Sequence, residues 1–254
     1  MRVEVVDDAG NGPAVAYLPG IGGTGTMARH CIERLRARGF RVIHFRYRGG
    51  GEDCYAHMAQ TARAALAAAQ PPVPRWLLLA ESFGGAVAVE AALAEPERIA
   101  GLALVNTFAR YPRRAQLWIG RGLGAVAGPR FFQWVRQRAR GRGLLGPRVE
   151  PALSAELRAR KPTFDLAYLA RLRMMLQLDL RPRLAELAVP VALFAADQDA
   201  VVPSVRCAEE IRARLPAATL RVLPNTGHLV LPLADLAWPE WLTELGRRAR
   251  RRRT

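Results

Sequence analysis

An apolar run that stops at a serine between small residues constrains this chain more than any other feature. The stretch from Leu77 to Ala86 reads Leu-Leu-Leu-Ala-Glu-Ser-Phe-Gly-Gly-Ala, with Ser82 near its centre. The apolar part predicts a buried strand, and the alanine-rich residues that follow predict a helix. Small residues around Ser82 allow a sharp turn between the two elements, which lifts the hydroxyl out of the backbone. Ala80 is a departure, because glycine is usual at that position of the pattern.

Strand and helix patterns alternate along most of the chain. Short apolar runs separated by helical periodicity extend to Val105 and resume at Val189, and the last helical pattern covers Leu233–Arg248. From about residue 108 to residue 184 the pattern is helical and contains no convincing strand. Alternation of this kind predicts a parallel sheet with helices on both faces. The sequence therefore favours an α/β fold, a three-layer α/β/α sandwich with a mostly parallel sheet.

The helical stretch interrupts this alternation and suggests how the chain is divided. We expect a core domain formed by residues 1–106 and 186–246, a helical cap insertion over residues 107–185, and a basic disordered tail over residues 247–254. Such an insertion lies over the carboxyl ends of the strands, where open α/β sheets bind ligands. A length of 254 residues suits one domain with an insertion.

Positive charge is abundant and almost entirely carried by arginine. The formal net charge is +16, and Lys161 is the only lysine. Residues 107–149 of the cap hold ten arginines and no acidic residue. A basic cap could make weak contact with an anionic membrane or an acyl carrier, although an ordinary amphipathic cap is the alternative. No nucleic-acid-binding module is visible, so we expect no nucleic-acid partner. The oligomeric state is left open.

The remaining composition indicates a cytoplasmic protein. Residues 1–10 carry three acidic residues and no apolar core region, so we expect no secretory signal. No apolar run approaches the roughly 18 residues of a membrane-spanning helix. The three cysteines are scattered without metal-ligand spacing and are interpreted as reduced thiols. We expect neither a metal nor a cofactor.

A serine hydroxyl is a weak nucleophile unless a base takes its proton and a further group orients that base. Asp197 and Asp199 follow the predicted strand Val191–Ala195, and His228 follows the predicted strand Thr219–Leu223 behind a glycine. The order serine, acid, histidine is typical of one class of nucleophilic catalytic sites. Either aspartate could supply the acid. The other three histidines lie within predicted strands or helices, namely His30, His44 and His57.

With these motifs the chain resembles an α/β-hydrolase-fold protein with a helical cap, over nearly its full length except the arginine tail. The resemblance rests on the loop Leu18-Pro19-Gly20-Ile21-Gly22-Gly23, the turn at Ser82, the segment Asp197–Pro203, and Gly227-His228.

The resemblance implies a role for each of the three candidate residues. Ser82 would be the nucleophile, and His228 the general base and then the general acid. Asp199 would orient the imidazole, because relatives often place this acid four residues before a proline, here Pro203. Asp197 is the alternative acid. Glu81, beside the serine on a sharp turn, is interpreted as a structural partner.

The resemblance also implies an oxyanion hole made of two backbone N–H groups. One belongs to Phe83, directly after the serine, and the other to Ile21, in the loop after the strand Val15–Leu18. Many relatives have His-Gly where this chain has Pro19-Gly20. The loop must then be held in place by something other than that histidine.

The implied activity is that of a serine hydrolase that cleaves a carboxylic ester, with an apolar acyl side, through an acyl-enzyme. The substrate would be a small-molecule or lipid-like ester. One alternative is an acyltransferase or thioesterase that uses the same three residues. Another is a non-catalytic binding protein on the same fold. No substrate-binding residue can be named from the sequence.

Overall fold

One sheet of seven strands organises the part of the chain that the computed structural model describes, residues 1–49, 54–115, 118–119, 144, 146–148, 151–159 and 166–251. The strands are β1 (Arg2–Ala9), β2 (Ala14–Leu18), β3 (Arg41–Arg48), β4 (Trp76–Glu81), β5 (Ile99–Val105), β6 (Val191–Ala196) and β7 (Thr219–Leu223). They lie in the order β1-β3-β2-β4-β5-β6-β7. β1 pairs with β3 in the antiparallel direction, and the other neighbouring strands are parallel. The predicted mostly parallel sheet is confirmed.

Helices connect the strands and cover both faces of the sheet. Their bounds are α1 (Arg29–Ala37), α2 (Tyr55–Ala68), α3 (Gly84–Ala94), α4 (Pro151–Ala159), α5 (Leu166–Gln177), α6 (Ser204–Arg214) and α7 (Trp238–Arg251). Short 3-10 turns occur at Thr26–Ala28, Pro96–Arg98 and Arg181–Glu186. Buried side chains of α1 and α7 pack on one face, and those of α2, α3, α5 and α6 pack on the other. This arrangement confirms the predicted three-layer sandwich.

The strands divide their side chains between two separate halves of the core. In β4, Leu78 and Ala80 belong to the half beneath α2 and α3, whereas Leu77 and Leu79 belong to the half beneath α1 and α7. Successive residues of a strand point to opposite faces, so both faces of a central strand must be apolar. This explains why β4 reads as a continuous apolar run. Burying both faces fixes the register and hence the position of the residue that follows the strand.

The described part of the region predicted as a cap includes two helices. α4 and α5 both fall between β5 and β6. The greater part of the ten-arginine stretch, including residues 121–143, lies outside the described residues. The predicted contact of this stretch with a membrane or a carrier therefore stays a prediction, as do the domain boundaries.

The last helix differs from the sequence prediction at both ends. We predicted helix from Leu233, but α7 begins at Trp238. Pro239 stands in its first turn, a position at which proline favours the start of a helix. At the other end, residues 247–251 of the predicted disordered tail continue α7. Buried Ala249 extends its apolar face there. None of the helices in the described ranges is long and apolar enough to cross a membrane.

Candidate active site

The polar residues of the site follow four strands that are neighbours in the sheet. Ser82 follows β4, Asn106 follows β5, Asp199 lies in the loop after β6, and His228 lies in the loop after β7. Because parallel strands end at the same edge, these loops meet at the carboxyl edge of the sheet. Backbone hydrogen bonds connect the strand ends, for example from Ser82 N–H to Val105 O at 2.8 Å.

Ser82 occupies the strained turn that the sequence predicts. Its φ is 52°, a left-handed conformation that is unfavourable for a residue with a side chain. The glycines after it permit close packing of the turn. A Cβ on Gly84 would lie 2.6 Å from the carbonyl oxygens of Leu18 and Pro19, and one on Gly85 would lie 2.7 Å from Cβ of Thr107. The turn thus depends on these small residues. Ser82 itself is 5% exposed.

The structure brings Asp199 and His228 together. Nδ1 of His228 lies 2.6 Å from Oδ2 of Asp199, and both residues are buried. A carboxylate only accepts hydrogen bonds, so Nδ1 carries the proton and Nε2 is left as the basic nitrogen. The other carboxylate oxygen of Asp199 accepts from Val201 N–H and Val202 N–H, each at 2.9 Å. The Ser204 hydroxyl also donates to Asp199, so the carboxylate is held from several sides.

Asp197, the alternative acid, has a different position. It is exposed, and its Oδ1 accepts from Thr226 N–H at 3.1 Å. This contact links the loop after β6 to the loop after β7. The geometry favours Asp199 as the partner of His228 and gives Asp197 a role in holding the loop.

Two carboxylates influence the protonation of His228. Burial alone lowers the pKa of this imidazole. The charge and hydrogen bond of Asp199 and the charge of Glu81 raise the pKa by more than burial lowers it, so the net effect is a raised pKa. Burial raises the pKa of Glu81, against the lowering effects of His228 and of a hydrogen bond from Tyr17. The imidazolium form of His228 is therefore stabilised, as a group that takes a proton during a reaction requires.

Glu81 is tied to the core on the α1 and α7 side. The Tyr17 hydroxyl donates to Oε2 of Glu81 at 2.9 Å, and both side chains are buried. This contact supports the interpretation of Glu81 as a structural partner of the turn.

Asn106 holds the site together and was missed by the sequence analysis. Its side chain donates from Nδ2 to His228 O at 2.7 Å and accepts at Oδ1 from Ala196 N–H at 2.8 Å. The residue is 1% exposed and has a φ of 48°. An asparagine directly after a buried strand is the signal that could have found it, because asparagine tolerates this conformation better than most residues.

The loop predicted to supply the second oxyanion donor lies beside Ser82. A Cβ on Gly20 would lie 3.6 Å from Cβ of Ser82. The loop is held by β3, because Tyr47 N–H donates to Gly23 O at 2.7 Å and Nε2 of His44 lies 3.1 Å from Thr24 O. These contacts hold the loop in a chain that has Pro19 where relatives often have histidine.

Phe83, the other predicted donor, is fully buried. Its ring packs against the rings of Tyr47 and Tyr55, with centroids 5.7 Å and 4.9 Å away. This packing fixes the peptide directly after Ser82. The roles of Ile21 and Phe83 as donors stay predictions. Within the described ranges, no group of three or more His, Cys, Asp or Glu side chains is arranged to hold a metal ion.

Comparison with known proteins identifies the family of the chain. The model of the alpha/beta hydrolase family matches residues 15–243. The chain belongs to this family. The predicted resemblance is thereby confirmed, and the protein is a hydrolase of the α/β fold. Among curated relatives, RutD of Variovorax paradoxus (strain S110), provisionally named a carbamate hydrolase, is 28% identical over 233 residues, which cover 86% of this chain and 85% of that protein.

Solved structures of other α/β hydrolases share the fold. A thermophilic esterase from Thermogutta terrifontis superposes with a TM-score of 0.80 at 24% identity, covering 97% of this chain and 93% of that one. The enol-lactonase from Burkholderia xenovorans LB400 gives a TM-score of 0.78 at 19% identity, covering 96% and 95%. At these sequence identities the likeness shows a shared fold and nothing more.

Proposed function

We propose that the protein is a serine hydrolase that cleaves a carboxylic ester through an acyl-enzyme. Ser82 is the nucleophile, His228 the general base, and Asp199 the residue that orients His228. The observation that carries this proposal is the buried 2.6 Å contact between His228 and Asp199, at the same sheet edge as a serine on a strained turn.

The reaction follows from these positions. Oγ of Ser82 attacks the ester carbonyl carbon while Nε2 of His228 takes its proton. Charge develops on the carbonyl oxygen, which accepts hydrogen bonds from Phe83 N–H and Ile21 N–H. His228 then gives its proton to the leaving alcohol, and the acyl group stays on Ser82. Water, deprotonated by His228, attacks the acyl-enzyme, releases the acid and restores the serine.

Apolar side chains in the half of the core beneath α2 and α3 support an apolar acyl side. The Phe83 ring is buried next to the nucleophile, and Met174 and Met175 of α5 are buried in the same half of the core. Methionine adapts to flexible chains better than branched side chains do. We therefore expect p-nitrophenyl esters of medium acyl length to be hydrolysed faster than the acetate.

A Ser82→Ala variant tests the proposal. We expect kcat for the p-nitrophenyl ester series to fall by about 10⁴-fold or more, as loss of such a nucleophile does. A fluorophosphonate probe should label wild-type protein and leave this variant unlabelled. Ser154→Ala, a serine substitution on α4, is the matched control and should keep wild-type activity. Folded wild-type protein whose Ser82 is not labelled would contradict the serine mechanism.

Carbamate hydrolysis is the second candidate, and the similarity to RutD favours it. The same three residues would transfer a carbamoyl group to Ser82 and then to water. Comparing kcat/KM for an ester and a carbamate with the same aryl leaving group separates the two. Adding an alcohol acceptor and analysing the products tests acyl transfer, and a thioester of the same acyl group tests thioesterase activity.

A further inference from the structure

A short piece of the inserted region lies directly on the loop that carries His228. We call Leu144, Gly146, Pro147 and Arg148 the cap contact segment. Its first residue accepts a backbone hydrogen bond, since Leu229 N–H donates to Leu144 O at 2.9 Å. Leu229 is the residue after His228. The cap contact segment therefore touches the predicted general base through its nearest neighbour in the chain.

Gly146 allows this segment to approach the loop closely. Its φ is 64°, and a Cβ at this position would lie 2.8 Å from the carbonyl carbon of Thr226 and closer still to Gly227 N. Non-bonded carbon atoms rest at about 3.5 to 4.0 Å, so a methyl group would force a shift of about 1 Å. The two backbones are thus in contact immediately before His228, and only glycine fits between them.

Arg148 holds the two ends of the same loop. Its Nη1 donates to Pro224 O at 3.3 Å, and its Nη2 forms an ion pair with the carboxylate of Asp235. Pro224 directly follows β7, and Asp235 precedes α7. The cap contact segment therefore meets the loop at its beginning, next to His228 and at its end.

On its other side the loop is held by the core. Asn106 donates to His228 O, and Gln198 N–H donates to Thr226 O at 3.0 Å. The loop around His228 lies between these contacts and the cap contact segment. Removing the contacts on one side lets the loop backbone shift, because only the contacts on the other side then hold it.

We propose that Gly146 and Arg148 are positioning residues that fix His228 against Asp199, so that the position of the cap contact segment controls the general base. This inference rests on the proposed function, in which His228 takes the proton of Ser82. Catalytic groups tolerate little displacement, and an error of about 1 Å costs on the order of 10²-fold in rate. The shift that a methyl group at Gly146 would force is of this size.

The test compares Gly146→Ala with Gly39→Ala. Both glycines have positive φ, 64° and 81°, but a Cβ on Gly39 would meet no atom of the described residues within 4 Å. Both variants place a side chain on a residue with positive φ, and only Gly146→Ala presses on the His228 loop. We expect Gly146→Ala to lower kcat by about 10²-fold with KM little changed. Gly39→Ala should keep wild-type kcat.

The pH profile separates positioning from general loss of structure. Displacing His228 from Asp199 removes the interactions that raise its pKa, so the acid limb of kcat against pH should move to lower pH in Gly146→Ala. If Gly146→Ala folds and keeps wild-type kcat and the wild-type acid limb, the proposal is wrong.

If Gly146→Ala does not fold, the variants Arg148→Gln and Asp235→Asn test the proposal instead. Each should lower kcat, and the double variant should be no worse than either one. Wild-type kcat in both would overturn the proposal.

One readout keeps this inference separate from the proposed function. In wild-type protein the Nδ1 proton of His228, held by Asp199, should give a strongly deshielded proton resonance in the NMR spectrum. Gly146→Ala should shift or lose this resonance, whereas Gly39→Ala should not. If wild-type protein hydrolyses no ester but the resonance responds in this way, the proposed function fails and the positioning holds. If wild-type protein is active and the resonance is unchanged in Gly146→Ala, the positioning role is wrong.

Discussion

At the scale of single residues, the pairing of His228 with Asp199 affects how both stability and activity depend on pH. Because the pKa of His228 is raised in the folded protein, the pair contributes stability that is fully present below the ordinary histidine pKa of about 6.5. This contribution is lost as the pH rises through the raised pKa. In the proposed mechanism activity behaves in the opposite sense, because the imidazole must be neutral to take the Ser82 proton. The enzyme thus gains its base over the pH range in which the fold loses this contribution.

Substituting each aspartate in turn tests this pairing. Asp199→Asn should lower kcat by about 10⁴-fold, since the amide no longer selects the tautomer with the proton on Nδ1. The acid limb of the remaining activity should move to lower pH, because the charge that raises the pKa of His228 is gone. Asp197→Asn, at the exposed loop position, is the matched control. We expect its kcat to stay within about 10-fold of the wild-type value. The reverse ranking would assign the acid to Asp197.

At the scale of elements, the sequence analysis predicted those helices and strands that a local pattern of residues determines. β4 and α3 were predicted because an apolar run, a serine between small residues and an alanine-rich stretch are all local. The start of α7 was placed too early, since the apolar residues Leu233 and Leu236 are buried without forming a helix. Asn106 was missed because its importance comes from β6 and the His228 loop, which the chain reaches about ninety residues or more later. The preference for Asp199 over Asp197 came from the resemblance, whereas the contact itself depends on how two loops meet.

The end of α7 shows how tertiary contacts extend an element. Arg248 donates to Thr219 Oγ1 at 3.0 Å and to Ala217 O at 2.7 Å, so the helix is attached to the start of β7. Arg250, two residues on, is exposed. A run of arginines read as a charged tail therefore contains a residue with a structural contact. Charge composition alone does not distinguish an arginine with a structural contact from an exposed one.

An alanine pair on α7 measures this contact. Arg248→Ala should lower the free energy of unfolding by about 0.5 to 1 kcal/mol, the range for solvent-accessible hydrogen bonds. Arg250→Ala should change it by less than about 0.5 kcal/mol, as exposed substitutions usually do. Urea unfolding followed by circular dichroism gives both values. Equal effects would mean that the arginines of α7 act only through their charge.

At the scale of the whole molecule, the two halves of the core treat their buried hydroxyl groups differently. Tyr17, beneath α1 and α7, donates to Glu81. Tyr47 and Tyr55, in the other half, pack on Phe83, and among the described residues neither buried hydroxyl has a hydrogen-bond partner. A buried polar group without a partner costs about 1 to 3 kcal/mol. A hydroxyl without a partner would offset part of the stability that burial of its ring contributes.

Two phenylalanine substitutions compare these halves. Tyr17→Phe should lower the free energy of unfolding by about 2 kcal/mol, because it removes a hydrogen bond to a buried carboxyl group. Tyr55→Phe removes a hydroxyl for which the described residues offer no partner, and it should leave stability unchanged or raise it by up to about 1 kcal/mol. Both changes delete one oxygen atom from a buried ring. A loss in Tyr55→Phe as large as that in Tyr17→Phe would show that its hydroxyl is satisfied in solution.

The pairing of β5 with β6 has a consequence for how the enzyme is made. Leu102 pairs with Val191, so the inserted region separates two strands that are neighbours in the sheet. Contacts between residues so far apart in sequence form slowly during folding. Ser82 leaves the ribosome with the first group of strands, while Asp199 and His228 arrive with the second. We expect the nascent chain to carry an inert serine until β6 and β7 join the sheet, so that the onset of activity reports completion of the fold.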